Sequence, residues 1–240
     1  MEPSPPTGRP SGSGSSRRNK RGRSTARRLF RFDRDLGARF VAGADEAGRG
    51  CLAGPLVAAA VLFDYERVGL REVRALTALN DSKQQTPEGR EALYPIVMRC
   101  ASRVAIVSRC VRGIDARGLH KTNLRALSDA LGRVAVPGTL CLSDGFPVPA
   151  TGHDQRAVIS GDARSAAIAA ASILAKVTRD RYMRRADALH PGWDFATHVG
   201  YATPEHRAAI LAQGVSPLHR MSFQSLAYQQ LGLAADAELL

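Results

Sequence analysis

The apolar positions of this chain fall into short continuous runs and longer helically spaced stretches. Near-continuous apolar runs over 39–44 and 55–63 predict two early strands covered on both faces, and 105–108, 139–143 and 157–159 predict three more. Helical spacing predicts helices over 87–98, with Thr86 as N-cap and Pro87 in the first turn, and over 121–133, where Leu124, Leu127 and Leu131 share a face. An alanine-rich helix is predicted over 163–188, followed by helices over 204–213 and 223–231. Strands interleaved with helices imply an α/β fold with a mixed sheet flanked by helices, and no internal repeat is found.

The polar residues that interrupt this pattern cluster at predicted strand ends. Asp45 and Glu46 close the first strand and precede Gly48-Arg49-Gly50; Asp144 closes the fourth strand, and Asp162 follows the fifth. Carboxylates bind hard cations such as Mg²⁺ through oxygen, and a glycine-rich basic turn lets backbone N–H groups and a guanidinium approach phosphate. An acidic pair beside glycine also describes an ordinary solvated turn. The two distant acids favour a site, because ligands of α/β sheets gather at strand ends. Side chains alternate along a regular strand, so Asp45 and Glu46 are expected to share a site only if the backbone leaves the pleat there.

Charge changes the picture at the N-terminus. The chain carries a net charge of +12, and eight of its 34 Lys and Arg residues lie within 1–28, among Pro, Ser and Gly and against the single acid Glu2. Residues 1–28 are therefore expected to form a disordered basic arm that adds salt-sensitive affinity for nucleic acid or serves as a solubilising tail. Residues 29–37 read as a linker, and 29–240 as one domain whose helical C-terminal extension spans about 190–240. The four cysteines lack metal-ligand spacing and read as reduced, buried thiols of a cytoplasmic protein. No run is long enough for a membrane span.

The motifs resemble ribonuclease HII, the type 2 ribonuclease H of bacteria. The resemblance rests on Gly43-Ala44-Asp45-Glu46-Ala47-Gly48-Arg49-Gly50, Asn80-Asp81-Ser82-Lys83, Ser143-Asp144-Gly145, Gly161-Asp162 with the helix 169–180, His198-Val199-Gly200-Tyr201-Ala202-Thr203 and His219-Arg220-Met221-Ser222-Phe223. It spans residues 40–231. It implies a ribonuclease H-like fold with a helical C-terminal extension, and hydrolysis of the RNA strand of RNA/DNA hybrids. It further implies nicking of duplex DNA 5′ to an embedded ribonucleotide, leaving a 3′-hydroxyl and a 5′-phosphate, as in ribonucleotide excision repair. Asp45, Glu46, Asp144 and Asp162 would hold Mg²⁺ or Mn²⁺, two ions during catalysis. Gly48, Arg49 and Gly50 would sense the 2′-hydroxyl, with Tyr201 packed on the neighbouring deoxyribose. The expected partners are RNA/DNA hybrid and ribonucleotide-containing duplex DNA, with the protein expected to be a monomer away from membranes. Gln85, Ser160 and Val199 depart from the family pattern, and the last two remove positive charge near the substrate.

Several single residues have two readings. Lys83 and Lys176 are substrate-binding candidates and equally caps or surface groups; His198, His219 and Arg220 have the same ambiguity. Asp180 reads as an ion-paired structural acid beside Arg179 and Arg181. Neither Ser82 nor Ser172 lies in a nucleophile elbow. Two rival functions remain: a ribonuclease H-like resolvase or transposase-type nuclease, which would share the acids but not the Gly-Arg-Gly and Tyr201 pairing, and a non-enzymatic RNA-binding protein. A nucleotide-binding loop at Gly48–Gly54 lacks the Gly-Lys-Ser/Thr ending.

Overall fold

The computed structural model describes residues 14–79, 85–149, 152–223 and 228–230, with side chains from residue 25 onward. Among these, a five-stranded sheet runs in the order β3-β2-β1-β4-β5. Strands β1 (Phe40–Ala47), β2 (Leu56–Asp64) and β3 (Arg103–Arg109) form an antiparallel meander. Strands β4 (Thr139–Asp144) and β5 (Gln155–Val158) extend it in parallel from β1. The expected α/β arrangement, a mixed sheet between helices, is present.

Helix α1 (Gly14–Asp35) precedes the sheet; α2 (Leu70–Ala75) and α3 (Pro87–Cys100) follow β2, and α4 (Val111–Arg117) and α5 (Leu119–Val134) follow β3. Helix α6 (Ala166–Leu189) then leads to α7 (Phe195–His198) and α8 (Pro204–Gln213). Thr86 caps α3 as expected, accepting from the Gly89 N–H. The predicted last helix, 223–231, lies mostly outside the described residues. No helix among the described residues is long and apolar enough to cross a membrane.

The alternation along β1 assigns its two faces. Val41 and Ala47 pack in the cluster that holds α6, whereas Ala42 and Ala44 pack in the cluster that holds α5. The alanines of α6 let it lie directly on β1. An added Cβ on Gly43 would land on the Ala167–Ile168 backbone. This close approach brings Ser172, two turns into α6, beneath the end of β1.

Helix α1 runs across the expected boundary at residue 28. A cut at residue 28 passes through a helix whose Ala26, Leu29, Phe30 and Asp33 are all buried. These four follow the i, i+3, i+4, i+7 spacing of an apolar stripe interrupted by one carboxylate. Phe30 packs edge-on against Phe63, with ring centroids 5.4 Å apart. Asp33 Oδ2 accepts from the Ala167 N–H at 2.9 Å and the Tyr65 hydroxyl at 2.8 Å, so α1 caps the N-terminus of α6. Residues 29–35 are thus helical rather than linker, and the charge density upstream does not prevent a helix at 14–28.

Candidate active site

Asp45 and Glu46 lie inside β1, not beyond it. The ladder continues through Asp45 opposite Ala59, Glu46 opposite Ala58 and Ala47 opposite Val57, so the expected departure from the pleat does not occur. Asp45 therefore points to the α6 face, and Glu46 to the opposite one. Asp45 is buried, receives a hydrogen bond from the Ser172 hydroxyl, and accepts from the Glu46 N–H at 2.8 Å. Burial, and then the charges of Glu46 and Asp144, push its carboxyl up to about 8.

Asp144 reaches the same face by a different route. Ala44 pairs with Ser143 across β1 and β4, so the next residues of the two parallel strands, Asp45 and Asp144, stand side by side at their C-terminal ends. Leu142, two residues before Asp144, belongs to the α6-side cluster, which fixes the face of Asp144. Asp144 Oδ1 accepts from the Gly161 N–H at 2.6 Å. That bond ties the 3-10 turn Gly161–Ala163, which carries the buried Asp162, to the strand end. Ser160 enters this turn in the left-handed region, at φ 52°.

The acids thus share one strand end, with Asp45 and Asp144 on one face and Glu46 acting on Asp45 around the edge. Among the described residues, no three carboxylate, imidazole or thiol groups converge closely enough to hold a metal ion between them. The donor set is nonetheless suited to a hard divalent cation. It is all carboxylate, and its central member is driven toward the neutral form by burial beside two anions, a cost that a cation at that point would remove.

Beside the acids runs the glycine-rich turn. Gly48 is buried with φ +88°, Gly50 is exposed, and Arg49 lies between them at the surface. The Arg49 guanidinium stands 3.7 Å from Glu46 and 5.2 Å from the Phe146 ring centroid. Tyr201 arrives next to this turn because the Leu52 N–H donates to Gly200 O at 2.8 Å. Its ring is partly exposed, with Lys176 Nζ 5.3 Å from the centroid. The sequence-distant turn and Tyr201 are therefore neighbours.

Other candidates divide. Lys176 bonds Asp180 at 2.8 Å, and Arg90 stands 3.7 Å from Asp180, which makes Asp180 the expected structural ion-pair acid but with partners other than Arg179 and Arg181. Lys83 lies outside the described residues, as does the rest of 80–84. His198, His219 and Arg220 are buried and internally bonded, so none offers a phosphate contact. Cys51 and Cys141 are buried as expected, but Cys110 is exposed. Sequence reasoning singled out Arg220 as a possible phosphate contact and Arg179 as an ion-pair neighbour of Asp180, but missed that both are buried and bond the main chain around the Gly48 turn. The only signal for Arg179 was its place in an otherwise apolar helix face.

Comparison with known proteins followed the same residues. The family model described as Ribonuclease HII matches residues 42–226. Ribonuclease HII of Rhizobium johnstonii is 48% identical over 202 residues, covering 83% of this chain and 84% of that protein. Ribonuclease H2 from Pyrococcus horikoshii OT3 superposes with a TM-score of 0.67 at 23% identity, covering 81% of this chain and 98% of that one. The structure of Bst-RNase HIII in complex with Mn²⁺ gives a TM-score of 0.63 at 17% identity, covering 89% of this chain and 73% of that one.

Proposed function

As the chain belongs to the ribonuclease HII family, and so is a ribonuclease H acting on the RNA of RNA/DNA hybrids, we propose that it also nicks duplex DNA on the 5′ side of an embedded ribonucleotide. The products would be a 3′-hydroxyl and a 5′-phosphate, and the setting the repair of ribonucleotides in cytoplasmic DNA, by a monomer. The observation that carries this reading is the adjacency of three parts: the carboxylate-bearing strand end, the Gly48–Gly50 turn and Tyr201.

Asp45, Glu46, Asp144 and Asp162 would hold divalent cations, Mg²⁺ or Mn²⁺; the latter accompanies the similarly folded Bst-RNase HIII. Bound there, such cations, two of them during catalysis, would acidify water and neutralise charge on the phosphodiester. The chain's own residues do the rest. Burial beside Glu46 and Asp144 keeps the Asp45 carboxyl raised to about 8, and a cation held there would favour its ionised form. Ser172 fixes the carboxyl's rotamer, and the Gly161 N–H fixes that of Asp144.

Recognition falls to the neighbouring turn. Gly50 presents backbone at the surface, where a 2′-hydroxyl can be met by main-chain groups that a bulkier residue would shield. The Arg49 guanidinium, held by Glu46 and Phe146, covers the phosphate side. Tyr201 offers a partly exposed ring for stacking on a deoxyribose, and Lys176 beneath it adds charge. Lys83 would add a further phosphate contact.

The test is a duplex DNA carrying one ribonucleotide, incubated with Mg²⁺. The wild type is expected to nick it 5′ to the ribonucleotide, Asp45→Asn to bind without cutting, and Tyr201→Ala to lose most incision. A wild type that leaves this duplex intact while cutting four-way DNA would replace the reading with that of a resolvase.

A further inference from the structure

Arg179, on α6, is completely buried, yet no carboxylate pairs with it among the described residues. Its guanidinium is spent on main-chain carbonyls instead. Nε donates to Pro55 O at 2.9 Å, Nη2 to Ala53 O at 2.9 Å, and Nη1 to Val199 O at 2.8 Å. The first two acceptors belong to the segment that follows the Gly48–Gly50 turn; the third lies two residues before Tyr201. One planar fork thus spans the two segments that meet the substrate's sugar in the reading above. A lysine carries its three donors on one compact nitrogen and has no such fork, so it could not span acceptors spread around a guanidinium.

The backbone on both sides is shaped to that fork. An added Cβ on Gly48 would fall inside the Arg179 side chain, and Cβ atoms on Gly54 and Gly200 would come to 3.2 and 3.3 Å of its Nη2. All three glycines have positive φ. Val199 also sits in the left-handed region, at φ 44°, where a β-branched residue is strained. Its carbonyl is the one that Arg179 holds. Arg220 braces the same segment from the other side, donating to Gly54 O at 3.0 and 2.8 Å and to Arg49 O at 3.2 Å. Burying a guanidinium is costly unless its donors are satisfied, and a fully apolar plug would fill this volume at lower cost. What an apolar plug lacks is the ability to fix one backbone segment relative to another.

We infer that Arg179 is a positioning residue that fixes the spacing between the Gly48–Gly50 turn and Tyr201, and thereby sets how efficiently a ribonucleotide is aligned for cleavage. The inference rests on the proposed incision at embedded ribonucleotides. Arg179 touches neither substrate nor acids. Its loss should therefore act on the alignment of bound substrate rather than on the capture of duplex, which depends on surface cations.

The experiment uses the full chain in Mg²⁺ and measures kcat and KM on the embedded-ribonucleotide duplex, Kd for the same duplex in all-DNA form, and the melting temperature. Arg179→Lys is expected to lower kcat about 100-fold, the usual consequence of misplacing a reacting group by about 1 Å. KM and the all-DNA Kd should stay within about threefold of wild type, since uniform binding is untouched. Gly200→Ala is the second variant. Its Cβ would press on Ala53 O and spread the two segments while Arg179 remains, so the same kcat-specific loss is expected even if Arg179→Lys does not fold. Wild-type kcat in either folded variant, or equal losses in kcat and duplex binding that follow the folded fraction, would overturn the inference. A wild type that fails to nick the duplex overturns the proposed function itself, which the variants do not decide.

Discussion

His206 Nε2 stands 3.1 Å from His219 Nε2, and the other bonds of the cluster decide which of them carries the proton. His206 Nδ1 lies 2.8 Å from the Tyr201 carbonyl, so it must be the protonated nitrogen, leaving Nε2 bare. His219 Nδ1 accepts from the Ser216 N–H at 2.8 Å, so its proton is on Nε2 and is donated to His206. His198 is fixed likewise, accepting from the Gly200 N–H at Nδ1 and donating from Nε2 to Trp193 O. The three rings surround Phe195 behind the Tyr201 backbone.

Acid should therefore loosen the support of Tyr201. Burial pushes both His206 and His219 down to about 4. Between that value and the ordinary 6.5 the unfolded chain binds more protons than the folded one, so this contribution is complete above pH 6.5 and is lost as pH falls toward 4. Each ring should cost about 1–2 kcal/mol at pH 5. Ring ¹⁵N shifts provide the check: both imidazoles should remain neutral in the folded protein at pH 5.5, and an imidazolium signal from either at that pH would contradict the tautomer chain.

Truncation should locate the start of the domain. Removing residues 1–24 eliminates six Lys and Arg residues but none of the buried stripe of α1. The melting temperature should stay close to wild type, while the salt dependence of duplex binding becomes shallower. Removing 1–35 deletes Leu29, Phe30 and the Asp33 cap of α6, and should cost on the order of 3–6 kcal/mol from the lost side chains and cap. Equal melting temperatures for the two truncations would place the start of the stable domain after residue 35.

The contrast between α1 and the acids explains what the chain made legible. Local chemistry was readable: Thr86 followed by Pro87 started α3 where expected, and the helix Pro204–Gln213 was bounded correctly, since caps and prolines act within a few residues. Strand ends depend on a partner. Pairing with Ala58 and Val57 carried β1 past Asp45 and Glu46, and no property of residues 40–47 alone could reveal it. The stripe Ala26, Leu29, Phe30, Asp33 was present in the sequence but hidden by the surrounding arginines. Arg179 was the hardest to find. A buried arginine looks like any helical arginine until the carbonyls it serves, more than a hundred residues away, are brought to it.

Gly43 should tolerate no side chain. Its Cβ would meet backbone atoms of Ala167 and Ile168, which cannot rotate aside. Gly43→Ala is expected to push α6 off β1 and cost about 1–3 kcal/mol, or roughly 2–10 °C in Tm. Because Ser172 moves with α6, incision should fall more than the loss of folded protein accounts for. A Gly43→Ala protein with wild-type Tm and kcat would show that the contact is readily relieved.

The most direct prediction concerns Asp45 and the cations it is proposed to hold. Its carboxyl, raised to about 8 in the folded protein against an ordinary 3.8, binds a proton that the unfolded chain has already lost, so this stability is present at low pH and disappears as pH rises through 8. The window from pH 7 to 9 excludes the acid-side groups, because His206 and His219 are then neutral in both states and Asp33, raised to about 6, is largely past its titration; burial also raises the Cys51 and Cys100 thiols, a contribution of the same sign that Asp45→Asn shares with the wild type and so controls for. In EDTA the wild type should lose about 1 kcal/mol across that window, and Asp45→Asn should lose less while melting higher at pH 9. Mg²⁺ competes with the proton for the same oxygens, so it should raise the wild-type Tm more at pH 9 than at pH 7 and barely affect Asp45→Asn. A Tm indifferent to Mg²⁺ at both pH values would mean that these carboxylates do not hold the cation.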